Sequence, residues 1–296
     1  MPALEAEMRR INTLLAAGAR DAAITAFHAL PEQAVRTLRP DLTCRGMLLP
    51  GRHVPISLCR IPATPRTGMP VALFLPGLQS SLLLAATRAA VFVDLADLIV
   101  CELPNHGATG MPPEVSLASF AAEYAALIDH ATTGPLAVFG ESLGGLVALA
   151  LARSRPERVR SVVLLDTPFH LTRPALAAWI TRSWHAGGKR PGIRAICREI
   201  MGFDPADDTT LATHRPFHLL RALPFACAHL LGGDATRSGA GSAVTEDDVA
   251  EMKAVHPALL LPPRVPDSGH AVLLNNPAGT LQALRACLAP SATSGT

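Results

Sequence analysis

Six apolar runs, each closed by glycine, proline or a polar turn, constrain the fold of this 296-residue chain more than anything else in it. Val71 to Leu75 ends in Pro76-Gly77, Leu95 to Leu103 in Pro104-Asn105-His106-Gly107, and Leu136 to Phe139 in Gly140. Val159 to Leu165 ends in Asp166, Phe225 to Leu231 in Gly232-Gly233-Asp234, and Leu259 to Val265 leads to Gly269-His270. Amphipathic stretches of helical length separate most of them. Short apolar runs alternating with amphipathic helices are the pattern of a mainly parallel sheet flanked by helices. In such a sheet the carboxyl ends of the strands share one edge, where loops converge on a ligand without disturbing the core. The run Val54 to Arg60, placed early, reads as an added antiparallel strand.

Composition narrows the classes further. Hydrophobic residues make up 49% and charged residues 17%, which suits a chain that buries a sizeable core. The formal charge of +2, with no basic block interleaved with aromatics, gives no field for nucleic acid or an anionic membrane. The six cysteines lie far apart and never form Cys-x-x-Cys, so they read as free core thiols, not a zinc knuckle or a dithiol. Met-Pro-Ala-Leu-Glu-Ala-Glu has neither the basic start nor the apolar run of a secretory signal, and no stretch reads as a transmembrane helix. A cytoplasmic location is the expectation.

The sharpest local signal is Gly140-Glu141-Ser142-Leu143-Gly144-Gly145, between the run ending at Phe139 and the apolar, glycine-free run Leu146 to Ala152. A serine is a poor nucleophile unless it stands clear of the backbone, beside a base, with donors ready for an oxyanion. A strand-to-helix elbow presents it; Gly140 and Gly144 leave room for the turn, and the helix amino terminus faces developing negative charge. A base is available in Pro266-Asp267-Ser268-Gly269-His270, where His270 follows a strand end and precedes the polar turn Asn275-Asn276-Pro277. His106, the next candidate, reads as shaping its own loop. Glu141 reads as a solvated or structurally paired carboxylate pointing away from Ser142.

From about Val71 onward the chain resembles the α/β-hydrolase family. That resemblance implies an eight-stranded, mostly parallel sheet with a nucleophile after the fifth strand, an acid usually after the seventh and a histidine after the last. With Val71 to Leu75 as the third strand, Ser142 follows the fifth, Asp166 the sixth, Asp234 the seventh and His270 the eighth. Asp234 is the first choice of acid, because Gly232-Gly233 beside it permit a close turn. Asp166 is the alternative, since some members draw the acid from the sixth strand; otherwise it is a cap where the chain leaves the sheet. Backbone N–H groups of Leu143 and Leu78 are the expected oxyanion donors, with Gln79 adding a donor or lining the acyl pocket. Leu75-Pro76-Gly77-Leu78-Gln79 stands where the family often has His-Gly, and Glu102-Leu103-Pro104-Asn105-His106-Gly107 where it often has Asp-x-Pro-Gly-His-Gly.

The domain expectation follows. Residues 41–167 and 224–296 form the hydrolase core. Residues 168–223, with Thr172 and Pro174 opening a helix of Leu176, Trp179, Ile180 and Trp184, Gly187-Gly188 as a break, and a second face of Ile193, Ile196, Cys197, Ile200 and Met201, form a helical lid. The lid's Arg173, Arg182, Lys189, Arg190, Arg194 and Arg198 read as an exposed basic face or a preference for an anionic group. Residues 1–40 form a helical extension: Leu4, Met8, Ile11 and Leu15 on one face, Gly18 as stop, Asp21 as cap of a second helix with Ile24, Phe27 and Leu30. Its phrase from Leu14 to Leu30 is faintly similar to one tetratricopeptide-type pair, and it either packs on its own domain or docks a protein partner. The function implied is cleavage of a small-molecule carboxylic ester or thioester, with no metal and no organic cofactor required. Acyl transfer or carbon–carbon hydrolysis by the same triad, and a non-catalytic binding protein on the same fold, are the alternatives.

Overall fold

The computed structural model describes residues 2–63, 68–171, 174–186, 191–203, 206, 214–221, 223–233 and 241–288. Helices α1 (Pro2–Ala16) and α2 (Arg20–Leu38) precede a hairpin of β1 (Arg45–Pro50) and β2 (Pro55–Ile61). Then come β3 (Val71–Leu75), α3 (Leu82–Ala89), β4 (Asp97–Cys101), α4 (Leu117–Ala131), β5 (Leu136–Glu141), α5 (Leu143–Ser154) and β6 (Val159–Leu165). The second half adds α6 (Pro174–Ala186), α7 (Pro191–Ala195), β7 (Ala226–Leu230), α8 (Glu246–Val255), α9 (Val272–Asn275) and α10 (Pro277–Leu288).

The strands form one sheet in the order β1-β2-β4-β3-β5-β6-β7; β1 pairs with β2 and β2 with β4 antiparallel, and every other pairing is parallel. This is the α/β-hydrolase architecture, with seven strands among the described residues where eight were expected. The reason for the shortfall lies in the last run. Residues 259–265 lie beside β7 and β-bridge at Leu260 and Val265, but Pro262 and Pro263 between them have no N–H to donate, so no continuous ladder forms. Strand β1 was not anticipated: with Gly46 and Pro50 in six residues its text is weak, and it exists as an edge paired to β2.

Side chains alternate across the sheet, and each face buries its own core. One face packs Leu73, Ile99, Val138 and Val162 against Phe120 and Tyr124 of α4 and Leu146 and Leu149 of α5. The other packs Phe74, Val100, Phe139 and Val163 against Ala85 and Ala89 of α3, Leu284 of α10 and Val35 of α2. The insertion after β6 joins the first of these cores through Ile180, Ile193, Ile196, Cys197, Ile200 and Met201. Its Trp184 packs at a tilt against Phe203, 5.5 Å between ring centres, and carries the Arg194 guanidinium 5.3 Å above its ring. Gly187, Gly188, Arg173, Lys189 and Arg190 lie outside the described residues.

The amino-terminal helices pack on this body. Ile11 of α1 meets Ala23, Ala26 and Leu30 of α2, and α2 runs on through Pro31 to place Val35 in the core. Gly18 makes the break between the helices, in the left-handed conformation at φ +74°. Asp21 is not the cap that was expected: the helix starts two residues earlier, Ala19 holds the cap position, and Asp21 sits in the first turn, where its charge faces the helix dipole. No helix among the described residues is long and apolar enough to cross a membrane.

Candidate active site

The elbow at Ser142 is built by close backbone approach. Parallel registers set Leu75 of β3 opposite Gly140 and Glu141 opposite Leu165 of β6, so three strand ends meet around residue 142. A side chain at Gly140 would overlap Gly145, and one at Gly144 would overlap the Leu75 carbonyl. With those positions bare, Ser142 is held at φ 52°, ψ −120°, its N–H donating to the Leu165 carbonyl at 3.1 Å. A non-glycine residue in that region is strained by order 1–3 kcal/mol, and the surrounding turn over-determines it. Its hydroxyl is thereby aimed away from the strand axis.

His270 reaches that hydroxyl. Its Nε2 stands 3.1 Å from Ser142 Oγ, and its Nδ1 stands 2.8 Å from Oδ2 of Asp166. The acid on the imidazole is therefore Asp166, the alternative, while the first choice, Asp234, lies outside the described residues. The glycines that favoured Asp234 serve a different end. Gly232 N–H donates to Asp166 Oδ1 at 2.9 Å, Gly233 N–H donates to the Val265 carbonyl at 2.7 Å, and a side chain on Gly232 would overlap the carbonyl of Gly269. They let the His270 loop close onto the end of β7.

Asp166 is fully buried and saturated with donors. Oδ1 accepts from Gly232 N–H and the Ser242 hydroxyl; Oδ2 accepts from Ala243 N–H at 2.8 Å and from His270. Burial alone would push this carboxyl up, but the hydrogen bond and charge of His270, then the bonds from Ser242 and Gly232, outweigh it and hold it below the usual carboxylate range. His270 moves the other way. Burial would lower it, but the Asp166 hydrogen bond and charge, then the Glu141 charge, raise it above 6.5. With Oδ2 accepting from Nδ1–H, Nε2 is left as the acceptor for the Ser142 proton.

The loop after β3 lies against Ser142: a Cβ built on Gly77 would stand 3.2 Å from Ser142 Cβ. Leu78 follows, buried, and Leu143 opens α5. Gln79 differs from both. Its backbone N–H already donates to His106 Nε2 at 2.9 Å, its φ is 64°, and its exposed side chain lines a cavity instead. That cavity, about 230 Å³, runs past Ser142 and His270 between Leu78, Leu84, Arg88 and Trp179. His106 donates from Nδ1 to the Pro104 carbonyl at 3.0 Å, so it shapes its loop as expected.

Two supports escaped the sequence reading. Arg88 is the one cation in the apolar text of α3 and turns inward, donating to Glu141 Oε1 at 2.9 Å and to Ser80 Oγ. Glu141 is the paired carboxylate anticipated, but buried, not solvated, and its Oε2 has no partner among the described residues. A lone arginine in an otherwise apolar helix was the available signal for this pair. Ser242, which holds Asp166, sits in a loop with no periodicity and gave none.

Fold and site point to one class: the chain has the α/β-hydrolase fold, and the model of the α/β-hydrolase fold family matches its residues 72–183. Among curated relatives it is 38% identical over 65 residues to lipase LipV of Mycobacterium tuberculosis, a match covering 22% of this chain and 25% of LipV. The chain thus spans about a quarter of the length of that relative. Carboxylesterase CesB of Bacillus subtilis superposes with a TM-score of 0.64 at 15% identity, covering 89% of this chain and 97% of CesB. The thioesterase domain from the curacin biosynthetic pathway superposes with a TM-score of 0.55 at 17% identity, covering 82% of this chain and 98% of the domain.

Proposed function

We propose that the protein is a serine hydrolase that cleaves a carboxylic ester or thioester through an acyl-enzyme on Ser142. The observation that carries this reading is the line of hydrogen-bond distances from Ser142 Oγ through His270 to Asp166. His270 Nε2 takes the hydroxyl proton as Oγ attacks the carbonyl carbon. The carbonyl electron pair moves onto oxygen, facing the amides of Leu143 and Leu78. Collapse breaks the bond to the leaving alcohol or thiol, which takes the proton from His270. Water then repeats the sequence on the acyl-enzyme, releases the acid and restores the hydroxyl. Asp166 holds Nδ1–H throughout and stabilises the transient imidazolium.

The acyl group enters the cavity of about 230 Å³ between Leu78, Leu84 and Trp179, with residues 168–223 acting as the lid through Trp179. A fluorophosphonate probe tests the reading: labelling is expected on the wild type and absent in Ser142→Ala. Labelling that survives the substitution excludes Ser142 as nucleophile.

A further inference from the structure

One buried polar chain plays no part in the proton relay, and it begins on the amino-terminal helices. His28 of α2 is 7% exposed, with Nε2 3.1 Å from Ser57 Oγ on β2. Ser57 in turn is tied to the next two segments through its backbone: its carbonyl accepts Glu102 N–H at 2.9 Å, at the end of β4, and its N–H donates to Thr109 Oγ1 at 2.9 Å. Burial lowers the His28 pKa, which keeps the ring neutral. From Glu102 the chain divides: Oε1 accepts Leu82 N–H at 3.1 Å, at the first residue of α3, and Oε2 accepts Ala108 N–H at 2.9 Å. Gly107, at φ +51°, lies so close that any side chain there would overlap the carboxylate.

Both branches end on the loop beside the nucleophile. The 104–110 loop, strapped to Glu102 at Ala108, carries His106, whose Nε2 holds Gln79 N–H while Gln79 sits at φ 64°. Leu82 is held by Glu102 directly. Residues 77–82 are therefore pinned at two points by groups that trace back to Glu102, and Leu78 lies between Gly77, packed on Ser142, and the pinned Gln79. Contact between α2 and the sheet is close enough to transmit position: a Cβ on Gly46 of β1 would meet His28 Cβ at 2.5 Å.

We propose that α2 is a positioning element of the oxyanion-binding loop, with His28 acting through Ser57 and Glu102 to set the Leu78 amide. This inference rests on the hydrolytic reading above. An oxyanion donor has to stand within about 0.5 Å of its place to act on the tetrahedral intermediate while contributing little to ground-state binding. Loss of the His28 anchor therefore lowers kcat and leaves KM nearly unchanged. Outright removal of one oxyanion donor costs 10²–10³ in kcat, and a donor displaced but present costs less, about tenfold.

The experiment uses the full-length chain with p-nitrophenyl acetate and a trifluoromethyl ketone, whose hemiketal adduct with Ser142 Oγ mimics the tetrahedral intermediate. His28→Leu is expected to lower kcat about tenfold and weaken the ketone by the same factor, with KM within about twofold. His28→Gln, which keeps a side-chain N–H, is expected to restore most of both. Should His28→Leu fail to fold, Gly46→Ala displaces His28 with every member of the chain intact and is expected to show the same split. A folded His28→Leu or Gly46→Ala with unchanged kcat and ketone affinity overturns the inference, as does a loss of kcat without a matching loss of ketone affinity. An active wild type in those cases leaves the hydrolytic reading standing; a wild type inert to ester and fluorophosphonate alike overturns both.

Discussion

Replacing Asp166 with asparagine tests the proposed Ser142–His270–Asp166 relay against one that uses Asp234. The carboxylate accepts from Gly232 N–H, Ser242 Oγ, Ala243 N–H and His270 Nδ1–H, so all four of its bonds come from donors. An amide has one accepting end. If its NH₂ turns toward Oδ2's position it faces Ala243 N–H and drives the His270 proton to Nε2, where it can no longer accept from Ser142. If it turns toward Oδ1's position it clashes with Gly232 N–H and leaves His270 without a charge behind it. Either way the base is compromised, and the expected loss in kcat is about 10³–10⁴, or roughly 4–5.5 kcal/mol at 1.36 kcal/mol per decade. The pH profile carries the sign. His270 has to be neutral to accept a proton, so kcat/KM rises with pH through its pKa, which Asp166 holds above 6.5. Without that charge, burial dominates and the acid limb moves to lower pH. Stopped-flow hydrolysis of p-nitrophenyl acetate from pH 5 to 9 measures both effects. A loss below tenfold with an unmoved limb refutes the assignment, and so does an Asp234→Asn variant that loses as much; the expected change there is within about twofold.

Glu141→Gln is expected to move the acid limb down by less than Asp166→Asn does, because the Glu141 charge ranks behind Asp166 in raising His270; an unmoved limb in the same pH series refutes this. Burial pushes Glu102 up to about 7, so between roughly pH 4.5 and 7 the folded chain holds a proton that the unfolded chain has lost, and stability falls as pH rises. That fall is about 3 kcal/mol at 1.36 kcal/mol per pH unit, and urea midpoints at several pH values should show a flatter slope in Glu102→Gln. Trp179→Ala opens the cavity wall, so the ratio of kcat/KM for hexanoate over acetate esters should rise several-fold; an unchanged ratio removes Trp179 from the acyl site.

What the sequence disclosed, it disclosed through constraints local enough to leave text. The elbow needed bare positions at 140 and 144 because backbone passes where side chains would stand, and those glycines are written beside Ser142. The strand runs survived because parallel strands buried on both faces have to be continuously apolar. His270 was legible from its place after the last run. The edge strand β1 was not, since its order comes from pairing with β2 and not from its own residues. The eighth strand was over-read for the converse reason: apolar composition marked it, but Pro262 and Pro263 removed the donors a ladder requires.

The choice of acid shows where such reading stops. Gly232-Gly233 before Asp234 and the strand end before Asp166 are both credible texts for a carboxylate facing histidine, and what decides between them is a loop that leaves no periodic signature. Ser242 Oγ and Ala243 N–H come from residues 76 and 77 positions beyond Asp166, and together with Gly232 N–H they supply the donors that let a fully buried carboxylate stay ionised. An acid on His270 has to be charged when the imidazolium forms, so the position that wins is the one whose surroundings stabilise charge in the dark of the core. The glycines were informative about packing, since they admit the His270 loop, and silent about electrostatics, since a backbone N–H looks the same in every residue but proline. A site's geometry is therefore read from where side chains are missing, whereas its charge balance depends on where donors arrive from far along the chain.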